Sequence, residues 1–383
     1  MTQLKGPWID SAATQSVMAM LTDAGFEAWF VGGCVRNALM GVPVSDIDIT
    51  TNARPERVIE LARAAGLKAI PTGIDHGTVT VVAAGVPYEI TTFRRDVETH
   101  GRHAVVAFAD TVSEDAHRRD FTINALYASA DGTVTDPLGG LEDLKARRLR
   151  FIDDPAQRIQ EDYLRILRFF RFHAWYSDDE AGMDADGLAA CSEHADGIES
   201  LSRERVGAEF GKLLRAPDPG MALAAMEQST VLSRIWPGGS VRALLPLLHL
   251  ETLSGVAPRG MRRLVALGGV AEPADLRLSK KQCKQVALLR ELINAGQGAA
   301  EMAYRFGADT AWDVTLLGAA MIETPVATDA GDQIALGQAA GFPVRAADLM
   351  DRFQGVALGD ELRRLEARWI KSGFELGRDA LLA

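Results

Sequence analysis

Apolar and polar residues follow different patterns in the first 150 residues of the chain and in the rest. Short apolar runs or alternating runs predict strands, and apolar residues three or four positions apart predict helices. The predicted strands are 28–31, 46–49, 78–83 and 87–92, the last two joined as a hairpin around Ala84 and Gly85, and the predicted helices are 12–24, 34–40 and 55–65.

Helical spacing takes over from about residue 155, and few strand patterns follow. The first such segment, residues 158–176, carries Leu164, Leu167 and Phe172 at helical intervals and predicts one continuous helix. The two patterns together predict an α+β protein, in which an N-terminal α/β head precedes a long all-α region. A chain of 383 residues has room for two or three domains.

Composition narrows the class of protein. The net charge of −11 argues against a general nucleic-acid binder, although a local basic groove can still bind RNA. The three cysteines are widely separated and form neither a metal motif nor a disulfide framework, which favours a reducing cytoplasm. No stretch reaches the roughly 20 apolar residues of a membrane span, so no membrane association is expected.

Asp46 and Asp48 fall on a predicted strand, where residues two apart point to the same face. Two adjacent carboxylates repel each other unless a cation lies between them, and Mg²⁺ is commonly held by one or two carboxylates plus substrate phosphates. Glu89, on a later strand, is a candidate third carboxylate. The alternative is a solvated strand edge for the aspartates and an exposed strand residue for Glu89.

Gly32 and Gly33 lie between a predicted strand and a predicted helix, and Arg36 follows on the first helical turn. Glycines let the backbone approach a phosphate closely, and Arg36 at this position can reach a triphosphate. A glycine pair alone indicates only a tight turn. Followed ten residues later by the paired aspartates, it is typical of nucleotidyl transfer, in which two metals about 4 Å apart clamp the reacting oxygens.

Arg118, Arg119 and Asp120 precede a short apolar turn that ends at Asn124. An arginine and an aspartate in this setting can hold a phosphate and a ribose, with Asp120 accepting a hydrogen bond from a 2′-hydroxyl. Taken in isolation, the segment is more typical of a salt-bridge cluster at the surface.

Asp162, Arg165 and Arg168 recur at every third position and are predicted to share one helix face. Ordinary helix ion pairs of this spacing contribute only about 0.2–0.5 kcal/mol, and they are the alternative interpretation. With Arg171, however, the segment places three arginines beside apolar side chains, which is costly without anionic or base partners.

These segments, taken in order, resemble the class II tRNA nucleotidyltransferase and poly(A) polymerase family. The matching motifs are Gly32–Arg36, Asp46–Asp48, Asp75–Thr80, Arg118–Leu126, Asp136–Leu141 and Glu161–Arg165, with further similarity at 342–348 and 366–370. One departure is Asn37, which stands where the family usually has aspartate.

The resemblance implies a head with the polymerase β-type fold over residues 1–150, a helical neck over 151–215 that carries the base-recognition helix, and a helical body and tail over 216–383 that bind RNA. It also implies roles for individual residues. Asp46 and Asp48 would be Mg²⁺ ligands and, with Glu89, catalytic residues; the nucleotide-binding residues would be Gly32, Gly33 and Arg36 for the triphosphate, Arg119, Asp120 and Asn124 around the ribose, Asp162 and Arg165 at the base, and Arg168 and Arg171 as further contacts.

Cytosine and adenine both present an exocyclic amine beside a ring-nitrogen acceptor. A carboxylate at Asp162 and a guanidinium at Arg165 offer the complement, whereas uracil and guanine present the opposite order. The implied activity is addition of CMP and AMP from CTP and ATP to the 3′ end of tRNA, with release of pyrophosphate; no particular oligomeric state is predicted.

The alternatives are an enzyme that adds only CC or only A, a poly(A) polymerase, and a catalytically silent RNA-binding protein. The acidity of the chain weighs against a poly(A) polymerase, and the segment between Phe93 and Arg118 resembles the tRNA-directed branch. The intact motifs at Asp46–Asp48 and Arg118–Asp120 weigh against the silent protein.

Overall fold

The computed structural model describes residues 2–100, 103–178 and 182–383. Within these ranges the side chains of residues 75, 96–100 and 103–106 are not included. Part of the Asp75–Thr80 motif and part of the segment between Phe93 and Arg118 therefore lie outside the described residues. The chain forms two compact units, Met1–Pro237 and Gly238–Ala383.

The first unit contains all the strands among the described residues. They are β1 Ala28–Val31, β2 Ile47–Thr51, β3 Lys68–Gly73, β4 Thr78–Ala83, β5 Val86–Thr92, β6 Arg94–His100, β7 His103–Phe108, β8 Tyr127–Ala128 and β9 Val134–Thr135. Seven of them form one sheet in the order β3-β4-β5-β2-β1-β8-β9, and β6 pairs with β7 separately. The pairing of β2 with β5 is parallel, and the others are antiparallel.

The helices of the first unit surround this sheet and then continue alone. They are α1 Pro7–Asp10, α2 Ala12–Thr22, α3 Gly33–Leu39, α4 Pro55–Ala64, α5 Val112–His117, α6 Gly140–Lys145, α7 Pro155–Glu161, α8 Leu164–Tyr176, α9 Ala185–Glu193, α10 Arg203–Leu213, α11 Gly220–Gln228 and α12 Val231–Ile235. Phe121, Phe151 and Phe169 pack together with ring centroids 4.9–6.3 Å apart, so α8 is anchored directly on the head.

The second unit is helical throughout its described elements. They are α13 Leu244–Leu253, α14 Gly260–Ala266, α15 Lys280–Leu292, α16 Ala299–Phe306, α17 Ala308–Met321, α18 Ala330–Ala339, α19 Val356–Lys371 and α20 Arg378–Leu382. A Cβ at Gly337 would overlap the carbonyl of Ala300, so glycine allows α16 and α18 to pack closely. Among the described residues no helix has both the length and the apolarity needed to cross a bilayer.

The α+β class, with a sheet-containing head before a helical remainder, is confirmed. Strand β3 went unpredicted because two consecutive exposed residues, Pro71 and Thr72, break its alternation. The domain boundaries predicted at 150 and 215 stay predictions, and the first of the two compact units ends at Pro237.

Two local predictions are wrong. The continuous helix over 158–176 is interrupted, because α7 ends at Glu161 and Asp162 has an extended backbone (φ −154°, ψ 103°) before α8 starts at Leu164. The Asp162 carboxylate accepts a hydrogen bond from the Leu164 backbone N–H at 3.1 Å, as short polar side chains do where a helix begins. Asp46 lies just before β2 rather than on it.

Candidate active site

The carboxylates at 48 and 89 lie side by side on the sheet. Asp48 on β2 is the register partner of Glu89 on parallel β5. Their strand neighbours Ile49 and Ile90 are buried, so both carboxylates point to the opposite, more open face. Asp46 is exposed and precedes Asp48 by two residues. The three predicted carboxylates therefore belong to one edge of the head.

The three carboxylates all carry negative charge and repel one another. Burial raises the pKa of Asp48 to about 6, and the nearby Glu89 and Asp46 carboxylates add to the shift while Arg119 opposes it. Such like-charge crowding is relieved by a cation. The donor set consists of carboxylate oxygens, which suit a hard ion such as Mg²⁺.

Within the described part of the chain, no set of three or more His, Cys, Asp or Glu side chains is arranged to hold a metal. A metal at this edge would therefore take one or two protein carboxylates and complete its shell with substrate and water oxygens, which is the coordination that Mg²⁺ favours. The residues fit that ion, and the assignment of Asp46 and Asp48 as its ligands stays a prediction.

Gly32 allows β1 to turn directly into α3. Its backbone angles (φ 72°, ψ −121°) belong to a region that only glycine adopts readily. A Cβ at this position would face Nη1 of Arg119 at 3.6 Å and the carbonyl of Asn124 at 3.8 Å. The turn thus brings the predicted triphosphate segment against the predicted ribose segment.

Arg36 is buried, with 5% of its surface exposed. Its guanidinium donates to Asn37 Oδ1 at 2.9 and 3.2 Å, to Asn124 Oδ1 at 2.5 Å and to the Tyr176 hydroxyl at 2.9 Å. The sequence predicts a side chain that reaches a triphosphate, whereas here the guanidinium is turned toward the interior. Burial lowers its pKa from the ordinary arginine value.

Asp115 fixes the arginine pair that follows it. This fully buried carboxylate accepts hydrogen bonds from Arg118 at 2.7 Å, from Arg119 at 2.9 and 3.2 Å, and from the Tyr127 hydroxyl at 2.9 Å. Burial alone would raise the pKa of Asp115, but the two guanidinium groups hold it well below its usual range. Sequence reasoning missed Asp115 and Tyr127, since neither belongs to a recognised motif.

Asp120 is buried rather than at the surface, so the alternative of a surface salt-bridge cluster is wrong. Its Oδ1 accepts from the Phe121 backbone and from Asn124 Nδ2, both at 2.9 Å, and its Oδ2 accepts from Arg168 at 2.7 and 2.5 Å. Burial opposes ionisation, but Arg168 and Asn124 outweigh it and hold the pKa of Asp120 at about 2. A 2′-hydroxyl would have to join this existing network.

Asp162 and Arg165 do not form the helix ion pair of the alternative interpretation. Asp162 pairs with Arg205 of α10 at 2.6 Å. Arg165 donates to Glu161 at 2.6 Å, and its guanidinium also reaches the backbone carbonyl of Arg118 at 3.1 Å. Each member of the predicted base-recognition pair is therefore held by a different neighbour.

These side chains meet around one cavity of about 260 Å³. Its lining residues are Arg118, Arg119, Asp120, Asp162, Leu164, Arg165, Arg168 and Arg205. The cavity unites the predicted ribose and base segments, although they lie more than 40 residues apart in sequence. Arg205 was missed because an exposed, charged helix start gives no distinguishing pattern.

Arg171 lies outside the set that lines the cavity. It pairs with the buried Glu209 of α10 at 2.5 Å, and its guanidinium lies 4.2 Å from the centre of the Phe172 ring. Its described contacts tie α8 to α10, and the predicted nucleotide contact at Arg171 stays a prediction.

The chain was compared with families of known proteins. The family described as the poly(A) polymerase head domain matches residues 28–150. A second family, described as a probable RNA- and SrmB-binding site of polymerase A, matches residues 183–241. The first match covers all three predicted carboxylates and the Arg118–Asp120 segment, and the second covers Arg205.

Curated relatives match over long ranges. The mitochondrial CCA tRNA nucleotidyltransferase 1 of Mus musculus is 32% identical over 403 aligned positions, covering 100% of this chain and 92% of the relative. The CCA-adding enzyme of Limosilactobacillus fermentum is 41% identical over 212 positions, covering 55% of this chain and 51% of the relative.

A solved structure shares the fold. The CCA-adding enzyme of Bacillus stearothermophilus, in complex with CTP, superimposes with a TM-score of 0.72 at 26% identity and covers 94% of this chain and 92% of its own. With a full-length relative at 32% identity, a matching head domain and the same overall fold, the chain belongs to the tRNA nucleotidyltransferase and poly(A) polymerase family.

Proposed function

We propose that the protein adds CMP and AMP from CTP and ATP to the 3′-hydroxyl of tRNA, building the CCA end and releasing pyrophosphate. The observation that carries the proposal is the cavity in which Arg119 and Asp120 of the head meet Asp162 and Arg165 at the start of α8. The mouse and Limosilactobacillus relatives are both named for CCA synthesis, and the Bacillus relative was solved with CTP.

Nucleotide choice follows from the two groups at the start of α8. Each oxygen of the Asp162 carboxylate keeps a lone pair beside its bond to Leu164 or Arg205, and it can accept from the exocyclic amine of cytosine or adenine. Arg165 donates to the adjacent ring acceptor. A uracil carbonyl would face the Asp162 carboxylate and leave a buried polar group unpaired, which sites of this kind reject strongly.

The remaining residues place the reacting groups. Arg119 is oriented by Asp115, and Asp120 is oriented by Arg168, so the ribose side of the cavity is rigid before substrate arrives. Asp46 and Asp48 would hold Mg²⁺, with the Glu89 carboxylate beside Asp48. When bound, the ion would offset the charge of the triphosphate and of the leaving pyrophosphate.

The experiment is incubation with a tRNA that lacks its CCA end, with each of the four triphosphates singly and with CTP and ATP together, followed by sequencing of the product. Addition of two C residues with CTP, and of CCA with both nucleotides, is the expected result. Growth of a long A tail from ATP alone would instead identify a poly(A) polymerase, and a product ending at CC or requiring a preformed CC would identify a partial enzyme.

Asp46→Ala and Asp48→Ala serve as controls in that experiment, because loss of either carboxylate should abolish incorporation while tRNA binding persists. Near-normal turnover by either variant would contradict the metal assignment, and no incorporation by the unmodified protein would favour the RNA-binding alternative.

We also propose that the protein works in a reducing compartment, because its three cysteines are free. That compartment need not be the cytoplasm, since the mouse relative is named as mitochondrial.

A further inference from the structure

The guanidinium of Arg36 is buried, and within the described part of the chain its hydrogen-bond partners are all uncharged. The groups that accept its hydrogen bonds are the amide oxygens of Asn37 and Asn124 and the hydroxyl of Tyr176. It also lies over two rings of α8, 4.0 Å from the centre of the Tyr176 ring and 5.1 Å from that of Phe172. A buried cation with only neutral partners keeps its attraction for an anion.

The contacts of Arg36 form part of a closed chain. Asn124 accepts from Arg36 and donates to Asp120, and Asp120 accepts from Arg168. Arg168 belongs to α8, as does Tyr176 at the C-terminal end of the same helix. The path therefore leaves α8 at Tyr176, crosses the head and returns to α8 at Arg168, which lines the cavity.

We propose that Tyr176 is a positioning residue that holds Arg36 for the triphosphate of the incoming nucleotide and so couples that group to the helix that recognises the base. The proposal rests on the function proposed above. Tyr176 contributes in two ways, since its hydroxyl accepts one hydrogen bond and the face of its ring attracts the guanidinium. Neither interaction neutralises the charge of Arg36, so both can persist while the guanidinium binds a phosphate.

The closed chain gives this coupling a physical route. Movement of Arg36 toward an anion must change its bond to Asn124, because Asn124 Oδ1 accepts directly from the guanidinium. Asn124 and Arg168 share Asp120, so the change reaches α8 beside Arg165. A nucleotide that lacks its β- and γ-phosphates does not draw Arg36 out of this position.

The test compares binding of CTP and of CMP to the full chain, without tRNA, in Tyr176→Phe and Tyr176→Leu. The first variant removes the hydroxyl and keeps the ring. It should weaken CTP binding roughly three- to tenfold, the effect of about one ordinary hydrogen bond, and leave CMP binding unchanged. Tyr176→Leu removes the ring as well and should weaken CTP binding roughly tenfold or more.

Trp175→Phe is the matched control. Trp175 lies on the same helical turn, is 40% exposed, and donates to the backbone carbonyl of Lys212 rather than to the chain of contacts through Arg36. It should bind CTP and CMP like the unmodified protein. Melting temperatures of all three variants establish that they fold.

An unchanged CTP affinity in Tyr176→Phe overturns the proposal, and so does an equal loss of affinity for CTP and CMP, which a merely structural role would produce. These outcomes are distinct from failure of the proposed function, in which the unmodified protein binds CTP without transferring CMP to tRNA. Failure of the unmodified protein to bind CTP overturns both.

Discussion

Two groups of arginines in the described part of this protein are built differently. The pocket arginines, Arg118, Arg119, Arg165, Arg168 and Arg205, line the cavity of the first unit. The core arginines, Arg262 and Arg263, are at most 1% exposed inside the second unit. Both groups form ion pairs with carboxylates, but only the pocket arginines line a cavity.

The core arginines are balanced by charge. Arg262 donates to Glu251 at 2.8 Å and to Asp313 at 3.0 Å, and Arg263 donates to Glu251 at 2.7 and 3.0 Å. Two cations thus meet two carboxylates at full burial. In the pocket, five arginines share the lining with only Asp120 and Asp162, and their side chains remain 11–32% exposed. Asp115 and Glu161 pair with three of them from outside the lining, so five cations face four carboxylates.

The difference separates a structural use of arginine from a binding use. A closed and balanced cluster fixes the packing of helices and has no capacity left for a ligand. A half-open cluster with surplus positive charge favours an anion or a polar base edge. Removing a core arginine should therefore damage the fold, whereas changes in the pocket should damage nucleotide choice.

The largest expected effect is that of Arg262→Met. The substitution removes the hydrogen-bond donor of the buried Asp313 and one of the two arginine donors of Glu251, and breaking a buried ion pair in this way typically costs about 3–5 kcal/mol. Hydrogen exchange of α14 and α17 should accelerate, and the free energy of unfolding of the second unit should fall accordingly. Arg364→Met, which removes an exposed pair with Glu361, should leave both measurements nearly unchanged. Equal behaviour of the two variants would contradict the structural role of the core arginines.

The next effect is that of Asp162→Ala in the pocket. The variant loses the acceptor for the exocyclic amine of cytosine and the group that repels the uracil carbonyl. The ratio of CTP to UTP incorporation should fall by roughly ten- to a hundredfold, since an unpaired polar group is what excludes the wrong base. Single-nucleotide incorporation on one tRNA measures the ratio. Equal losses toward CTP and UTP would place base recognition elsewhere, for example in the RNA.

A smaller effect is expected for Arg205→Met. The half-exposed pair with Asp162 is lost, but the Leu164 N–H still holds that carboxylate. Discrimination between CTP and UTP should fall by roughly two- to tenfold, the effect of about one hydrogen bond. Arg203→Met, an exposed position at the start of the same helix, is the control and should retain full discrimination. A melting temperature equal to that of the unmodified protein would show that the loss concerns recognition.

The sequence predicted the pocket in part, for identifiable reasons. Alternation placed Asp48 beside an open sheet face, and the motif resemblance brought Asp120 and Arg165 into one site. The sequence could not predict that Asp162 interrupts the helix. The break is stabilised by a hydrogen bond from the Leu164 backbone to the Asp162 carboxylate, and such a bond leaves no signature in apolar spacing. Arg205 lies far from those motifs along the chain, and Tyr176, although on the same helix as Arg165, reaches Arg36 only through tertiary packing.

The core cluster resisted sequence reasoning for a related cause. Arg262 and Arg263 are consecutive charged residues, a pattern that ordinarily indicates a solvated helix face. Their burial depends on Glu251 and Asp313, which come from two other helices of the second unit. Charge balance between elements is therefore information that only the folded unit holds.

The smallest expected effect is that of Asp313→Asn. Burial raises the pKa of Asp313 even though Arg259 and Arg262 oppose it, and its Oδ2 makes no hydrogen bond within the described residues. Asparagine keeps the Oδ1 acceptor for Arg262, so the free energy of unfolding at neutral pH should change by less than about 1 kcal/mol.

The raised pKa of Asp313 also fixes how its contribution to the free energy of unfolding changes with pH. An acid whose folded pKa is raised contributes stability that is present below its unfolded pKa of about 3.9 and is lost as pH rises through the folded value. The unmodified protein should lose that contribution on going from pH 4 upward, and Asp313→Asn should not. Glu251→Gln is the contrast, because Glu251 accepts from both core arginines and its neutralisation leaves them without half of their counter-charge. If Asp313→Asn destabilised the second unit as strongly as Glu251→Gln at every pH, the two carboxylates would be equivalent, and the balance attributed to the core arginines would need all four charges.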